Sequence, residues 1–300
     1  MSPKKDFERK RGNRLGFWFF RTAVRLFGLR GTYGLLYFVS LYYLAFDRAA
    51  VAASMAYVRR RFPDHGVFRR LFDVYLLFVN QGESLIDRYY VAAGGRNIGL
   101  EIAGYEKINN LLTEGQKGLI LLTAHVGNWQ GAMTSLSKLN RDVYLMMRPE
   151  DNVAVKDALN IDSEKESVRI IYTDGAMGGV IEALKAISEG AVVSIMGDRT
   201  YGYASVEASL LGGNVRFPYG GFSLAAAAQC PVVVLLSAKI GATKHVTDVS
   251  HVINPPAGRR GNKDEEIHAC VQEFARILEE YAVRYPYQWF VFRDMWQGNN

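Results

Sequence analysis

The sequence predicts an α/β fold, a largely parallel sheet flanked by helices, with an N-terminal helical appendage. From residue 98 onwards, short aliphatic runs alternate with stretches of helical periodicity, and residues 119–122 are four aliphatic residues in a row. Such alternation favours parallel strands with helices on both faces of the sheet. The segment before residue 60 differs in composition, because it concentrates arginine and aromatic side chains.

The N-terminal segment is predicted to associate with a membrane. Residues 1–70 contain 15 Lys or Arg against 4 Asp or Glu, whereas the whole chain carries only +6, and aromatic residues lie between the arginines. This mixture suits an anionic membrane surface better than a nucleic acid, so no nucleic-acid partner is expected. Arg21, Arg25 and Arg30 interrupt the apolar region that a secretory signal requires. We therefore expect the catalytic part to remain on the cytoplasmic side.

The uncharged stretch 31–46 is 16 residues long, and about 20 are needed to cross the hydrocarbon core. Its four tyrosines prefer the membrane interface. We expect two amphipathic or shallowly inserted helices, residues 15–29 and 32 to about 60, rather than a transmembrane anchor. The alternative is a helical hairpin packed on the catalytic domain.

Residues 61–300 are predicted to form one catalytic domain, following the membrane-associating helices of residues 1–60. Pro63 ends the preceding helix, and apolar residues at helical spacing predict a long helix from 67 to about 90. Cys230 and Cys270 lie in apolar or helical stretches without metal-binding spacing, so no metal is expected.

The elements of this domain follow from the same periodicities. Strands are predicted at residues 98–103, 119–123, 142–147, 168–172, 191–196, 232–236 and 246–252. Helices are predicted at residues 105–112, 129–139, 153–160, 177–188, 221–228 and 264–284.

His125 is the first candidate for chemistry, since it lies in a predicted turn between strand 119–123 and the next helix. Open α/β folds place their sites at the carboxyl edge of the sheet, and imidazole transfers protons near neutral pH. Asn128 is a good N-cap for the following helix. From these residues alone, a surface or capping histidine is an equal alternative.

The stretch Ala-His-Val-Gly-Asn-Trp-Gln-Gly-Ala at 124–132 resembles the His-x-x-x-x-Asp/Glu box of the lysophospholipid acyltransferase superfamily, and more narrowly of the late acyltransferases of lipid A synthesis. Gln130 stands where that box has its acidic residue. The resemblance implies a glycerol-phosphate-acyltransferase-like fold, with His125 as general base. Gln130 would orient the imidazole, and Asp198 is the first candidate for a carboxylate acting from across the site.

Further boxes follow in the order of that family. Arg148 and Pro149 end a predicted strand and resemble its second box, where an arginine can grip phosphate; a helix-capping turn is the alternative. Asp198 and Arg199 lie in a later loop. The segments 210–213 and 217–221 are glycine-rich and would let backbone amides approach an anion at Gly212 and Gly220. Residues 286–296 resemble the family's Pro-x-Gln-Trp ending.

The resemblance implies that a fatty acyl group is transferred from acyl carrier protein or coenzyme A to a hydroxyl of a lipid A-like or lysophospholipid-like acceptor. It implies a bacterial enzyme on the cytoplasmic face of the inner membrane, without a resident cofactor. Asn128, Arg148, Asp198, Arg199, Gly212 and Gly220 are the predicted substrate-binding residues. Gln130 leaves open the alternative of a catalytically inactive membrane-bound lipid or acyl-carrier binding protein. A Rossmann-type enzyme is less favoured, because no Gly-x-Gly-x-x-Gly follows a strand.

Overall fold

The computed structural model describes residues 14–92, 94–95, 98–115, 117–129, 131–132, 139, 141–148, 168–174, 176–200, 202–256 and 263–296. Three helices come first: α1 (Arg14–Phe46), α2 (Arg48–Arg61) and α3 (Val67–Ala92). Helix α1 contains a break at Gly28, near the break that the sequence predicts after residue 29. The predicted single helix from 32 to about 60 is wrong, because Asp47 interrupts it and its carboxylate caps α2 by accepting from the Ala50 amide at 2.9 Å.

From residue 98 the described elements are mostly strands and helices in alternation, with two hairpins of consecutive strands. They are β1 (Gly99–Ala103), α4 (Tyr105–Glu114), β2 (Leu119–Thr123), β3 (Val143–Met147), β4 (Val168–Tyr172), α5 (Val180–Ser188), β5 (Val192–Met196), β6 (Ser205–Leu210), β7 (Gly213–Pro218), α6 (Gly220–Ala228), β8 (Val232–Gly241), β9 (Lys244–Ile253) and α7 (Lys263–Arg284). The predicted helix 153–160 lies outside the described residues, as does most of the predicted helix 129–139, of which residues 129, 131 and 132 are described as helical.

Seven strands form one mixed sheet in the order β1-β9-β8-β2-β5-β3-β4. All neighbouring pairs are parallel except β8 and β9, which form an antiparallel hairpin. The predicted fold class, a largely parallel sheet flanked by helices behind an N-terminal helical region, is therefore confirmed. Strand β2 lies at the centre of the sheet with all five residues buried. Side chains alternate along it, so that Ile120 packs into the core on one face and Leu121 into the core on the other.

Strands β6 and β7 form a separate antiparallel hairpin. The sequence predicts glycine-rich segments at 210–213 and 217–221 and misses the two strands; the turn at Leu211 and Gly212 joins them. Ala208, Leu210, Val215 and Phe217 alternate with exposed residues, and they bury one face of the hairpin. Its partner is α7, where the Phe217 ring meets Phe274 at a centroid distance of 5.8 Å.

The N-terminal helices have one inner and one outer face. On α2, Tyr57 is fully buried and its hydroxyl donates to the carbonyl of Pro286 at 2.8 Å. On α1 the outer face exposes large apolar side chains, including Leu26, Phe27, Phe38, Tyr42 and Phe46, with Phe38 at 74 %. No single helix among the described residues is long and apolar enough for a bilayer crossing; by length and composition the pair Phe19–Phe46 and Arg48–Arg61, bent by 94°, meets that requirement only together.

Candidate active site

His125 and Asp198 come together because their strands are neighbours in the sheet. Strands β2 and β5 run parallel with Thr123 opposite Met196. His125 and Asp198 each lie two residues beyond that pair, at the carboxyl edge. Parallel strands lie about 4.8 Å apart, which brings the two turns into side-chain contact.

The Asp198 carboxylate contacts His125 through both oxygens. Its Oδ1 lies 2.8 Å from Nδ1 of the imidazole, and its Oδ2 accepts the backbone N–H of His125 at 2.9 Å. A second donor to Oδ2 is the indole N–H of Trp289, at 3.2 Å. Asp198 is 1 % exposed, whereas the His125 side chain is 20 % exposed. The carboxylate is therefore enclosed, while the imidazole reaches the surface.

The protonation state of the pair follows from these contacts. Burial by itself raises the pKa of Asp198, but the charge of His125, its hydrogen bonds and the charge of Arg199 outweigh burial and hold the pKa of this carboxyl well below its usual range. An ionised carboxylate only accepts hydrogen bonds. Nδ1 of His125 therefore carries a proton, and in the neutral imidazole Nε2 is the nitrogen that can accept one.

The turn that carries His125 is held by residues near the end of the described chain. The N–H of Phe290 donates to the carbonyl of His125 at 2.9 Å, and the N–H of Gly127 donates to the carbonyl of Gln288 at 2.7 Å. Gly127 has a φ of 53°. A Cβ at this position would lie 2.1 Å from the carbonyl oxygen of Ser237, so only glycine fits the turn.

The other predicted site residues are distributed as follows. The Asn128 side chain accepts the Gly131 N–H at 3.0 Å, which confirms it as the N-cap. Arg148 follows β3, two strands from β2 and roughly 10 Å away by strand spacing, at the same edge. One guanidinium nitrogen of Arg199 donates to the carbonyl of Phe290 at 3.3 Å. Gln130 lies outside the described residues.

The two predicted glycines lie in different surroundings. Gly220 is the first residue of α6, whose next glycine, Gly221, packs beside Leu122 of β2, so this helix begins near the carboxyl edge. Gly212 has a φ of 70° in the turn between β6 and β7, where the hairpin contacts α7. Their roles in substrate binding stay predictions.

Sequence reasoning did not assign a role to Trp289 or Gln288. The signal in the sequence is the Pro-x-Gln-Trp pattern at residues 286–289, and its composition alone indicates an aromatic core segment. The structure adds that the Gln288 side chain accepts from the Lys239 N–H at 2.7 Å and donates to the Lys239 carbonyl at 2.8 Å. Residues 288–290 thus connect β8 with the His125 turn.

Comparison with known protein families shows to which family the chain belongs. The sequence model of the bacterial lipid A biosynthesis acyltransferases matches residues 96–298, about two thirds of the chain. The chain belongs to this family. No curated protein matches the sequence.

Membership of the lipid A biosynthesis acyltransferase family indicates an acyltransferase with a lipid acceptor, as the sequence predicts. The matched residues begin just after α3 and include the whole mixed sheet, the His125–Asp198 pair and residues 288–290. Helices α1 to α3 precede the matched region.

Proposed function

We propose that the protein transfers a fatty acyl group from a thioester donor to a hydroxyl of a lipid A-like or lysophospholipid-like acceptor, with His125 as general base. The observation that supports this most is the contact of a partly exposed imidazole with a buried, ionised carboxylate at the carboxyl edge of the sheet. A carboxylate in this position orients the ring and stabilises the imidazolium that forms when the base takes a proton.

The proposed reaction needs no covalent acyl-enzyme. Nε2 of His125 takes the proton of the acceptor hydroxyl while the hydroxyl oxygen bonds to the thioester carbonyl carbon. The carbon–sulfur bond then breaks, and the thiolate leaves with the proton that His125 held. His125 returns to its neutral form, and no oxidant, metal or cofactor enters the balance.

The other predicted site residues take supporting roles in this proposal. Arg148 and Arg199 bring positive charge to the edge where negative charge develops on the carbonyl oxygen, or where donor and acceptor phosphates bind. Gly220 and Gly212 are proposed to admit substrate close to the backbone, and Asn128 to shape the turn beside His125. Because Asp198 takes the one ring N–H of the neutral imidazole, we propose that Gln130 supports the orientation of His125 through the turn that follows it rather than by fixing the tautomer.

The donor and the membrane contact complete the proposal. Acyl carrier protein and coenzyme A both present the acyl group as a thioester, and either fits the chemistry. The outer face of α1 combines exposed aromatic and aliphatic side chains with Arg21, Arg25 and Arg30, a composition that suits an anionic bilayer surface. We propose that the protein works on the cytoplasmic face of the inner membrane, where its lipid acceptor lies.

Replacing His125 by Ala tests the proposal. The protein is incubated with acyl-carrier and coenzyme A thioesters and a membrane lipid extract, and acylated lipid is detected by mass spectrometry. We expect His125→Ala to lower the rate at least ~100-fold, the usual cost of losing a general base. The exposed His268 of α7 supplies a control, His268→Ala, that keeps the wild-type rate.

Two results would contradict the proposal. A wild-type rate in His125→Ala would remove His125 from the mechanism. No product with the wild type on any donor would favour the inactive lipid-binding protein instead, and in that case binding of acyl carrier protein or of lipid vesicles would persist without turnover.

A further inference from the structure

We propose that Trp289 is a positioning residue, whose indole N–H holds the Asp198 carboxylate in the orientation that His125 needs. The inference rests on the proposed function, because it concerns the efficiency of the same base. The contact between Trp289 and Asp198 can also be tested without measuring turnover.

The arrangement of donors around Asp198 is the first support. Oδ1 takes the ring N–H of His125, and Oδ2 takes two donors, the backbone N–H of His125 and the indole N–H of Trp289. Without the indole, the remaining donors in the described part of the chain would both come from His125. A carboxylate held only by the residue that it has to orient can move together with that residue, so a donor from elsewhere in the chain is needed to fix it.

The second support is that Trp289 has little freedom to move. Its side chain is fully buried and meets the ring of Tyr57 edge to face, with centroids 5.5 Å apart. The residues on either side of it, Gln288 and Phe290, hydrogen-bond to the backbone of the His125 turn. The indole is therefore fixed relative to the same turn whose imidazole contacts Asp198.

A packing role is the competing explanation, since buried tryptophans usually find some acceptor for their N–H. Trp296 shows that ordinary case in the same aromatic cluster. Its ring centroid lies 6.4 Å from that of Trp289, and its indole N–H donates to the carbonyl of Leu210 at 3.1 Å. Trp296 thus supplies a matched control, a tryptophan whose N–H bonds a neutral backbone carbonyl.

The experiment compares Trp289→Phe with Trp296→Phe in the full-length protein. Each substitution removes one indole N–H and keeps an aromatic ring. Hydrogen bonds to charged groups are worth about 10- to 100-fold in an equilibrium or a rate. We expect Trp289→Phe to lower kcat by that factor with KM changed by less than about threefold, and Trp296→Phe to leave kcat within about threefold of wild type.

The pH profile separates positioning from packing. With one donor lost, Asp198 attracts the imidazolium more strongly, so the acid limb of the kcat profile should move to higher pH in Trp289→Phe. Trp296→Phe should keep the wild-type profile. Equal losses of kcat in the two variants, with unchanged profiles in both, would overturn the inference and indicate packing alone.

A spectroscopic measurement keeps the inference testable when Trp289→Phe fails to fold or the wild type shows no turnover. The chain has four tryptophans, so ¹⁵N-tryptophan labelling gives four indole resonances at most. We expect Asp198→Asn to shift the Trp289 indole proton and leave that of Trp296 in place. An unmoved Trp289 resonance would disprove the contact, whereas an inactive wild type with a moved resonance would reject the proposed function and keep the contact.

Discussion

Asp198 and Asp87 are both buried carboxylates that contact a histidine ring. Oδ1 of Asp198 lies 2.8 Å from Nδ1 of His125, and Oδ2 of Asp87 lies 2.9 Å from Nε2 of His245. The histidines differ in access to solvent. The side chain of His125 is 20 % exposed at the carboxyl edge of the sheet. That of His245, on β9, is 3 % exposed and is covered by α3. Of these two rings, only that of His125 can meet a substrate at the edge of the sheet. A further histidine–aspartate contact, between His65 and Asp73 at 2.6 Å, joins α3 to the residues just before it.

The second difference is in what else each carboxylate contacts. Asp87 belongs to a buried group that we call the Asp87 cluster, which consists of Tyr33, Glu83, Asp87, Lys239 and His245. The ammonium of Lys239 lies 3.0 Å from Asp87 and 2.9 Å from Glu83, and it donates to the Tyr33 hydroxyl at 2.9 Å. Burial raises the pKa of Asp87, but the hydrogen bond from His245 and the charge of Lys239 outweigh it and hold that pKa below its usual value.

The comparison shows that the other groups around the aspartate determine what a histidine–aspartate pair does. Lysine satisfies Asp87 permanently and ties α1 and α3 to the sheet, which stabilises the fold. Among the described residues, the hydrogen-bond donors to Asp198 are N–H groups of His125 and Trp289, so its charge can act on the imidazole. The same two residue types thus serve cohesion in one place and proton transfer, as we propose, in the other.

The largest expected effect is on turnover. Asp198→Asn should lower the acyl transfer rate on the order of 10³-fold or more, because an amide keeps the shape of the carboxylate and loses its charge. Asp87→Asn should change the rate by less than about threefold at a temperature where the variant stays folded. Equal losses in the two variants would show that His125–Asp198 has no special role.

The next effect concerns stability. Lys239→Met leaves the buried Asp87 and the partly buried Glu83 without their cation, and we expect it to lower the free energy of unfolding by ~3–5 kcal/mol. Lys244→Met is the matched control, because Lys244 pairs with Glu101 at 2.8 Å on an exposed surface and exposed pairs contribute little. Chemical denaturation measures both variants. Similar losses would contradict the assignment of the Asp87 cluster to stabilisation.

The smallest effect is a pH dependence of stability. The pKa of Asp198 is lowered in the folded protein, so its contribution is fully present above the unfolded value of about 3.9 and is lost as the pH falls below it. Between pH 5 and pH 3 the wild type should lose roughly 1 kcal/mol more than Asp198→Asn. If the free energy of unfolding changed with pH in the same way in both proteins, Asp198 would not be ionised in the folded state.

The sequence predicted the strands well because aliphatic runs are a local signal. The predicted strand 168–172 has the observed bounds, and both His125 and Asp198 were placed at strand ends. The sequence names Asp198 as a carboxylate acting on His125 from across the site but does not predict their direct hydrogen bond, because the chain order puts β3 after β2 while the sheet puts β5 beside β2. Strand order depends on the crossovers, which periodicity does not reveal.

The features that the sequence did not predict were missed for similar physical reasons. The break at Asp47 was obscured by apolar residues, although an aspartate before a helix is an N-cap signal. The hairpin of β6 and β7 was hidden because Gly212 and Gly213 indicated a loop, whereas glycines in such a turn also close hairpins. The contact of Trp289 with Asp198 joins residues 91 positions apart, and neither residue type predicts the other.

The position of Tyr57 limits where the protein can be shortened. Its ring covers Trp289 and its hydroxyl holds the carbonyl of Pro286, although it lies within residues 1–60, which the sequence assigns to the membrane segment. A cut at residue 60 would leave Trp289 without that cover, whereas a cut just before Asp47 would keep the whole of α2 and its cap. Trimming therefore cannot pass the boundary between α1 and α2, since the ring beneath the Asp198 contact belongs to α2. Removing α1 would also take Tyr33 away from the Asp87 cluster.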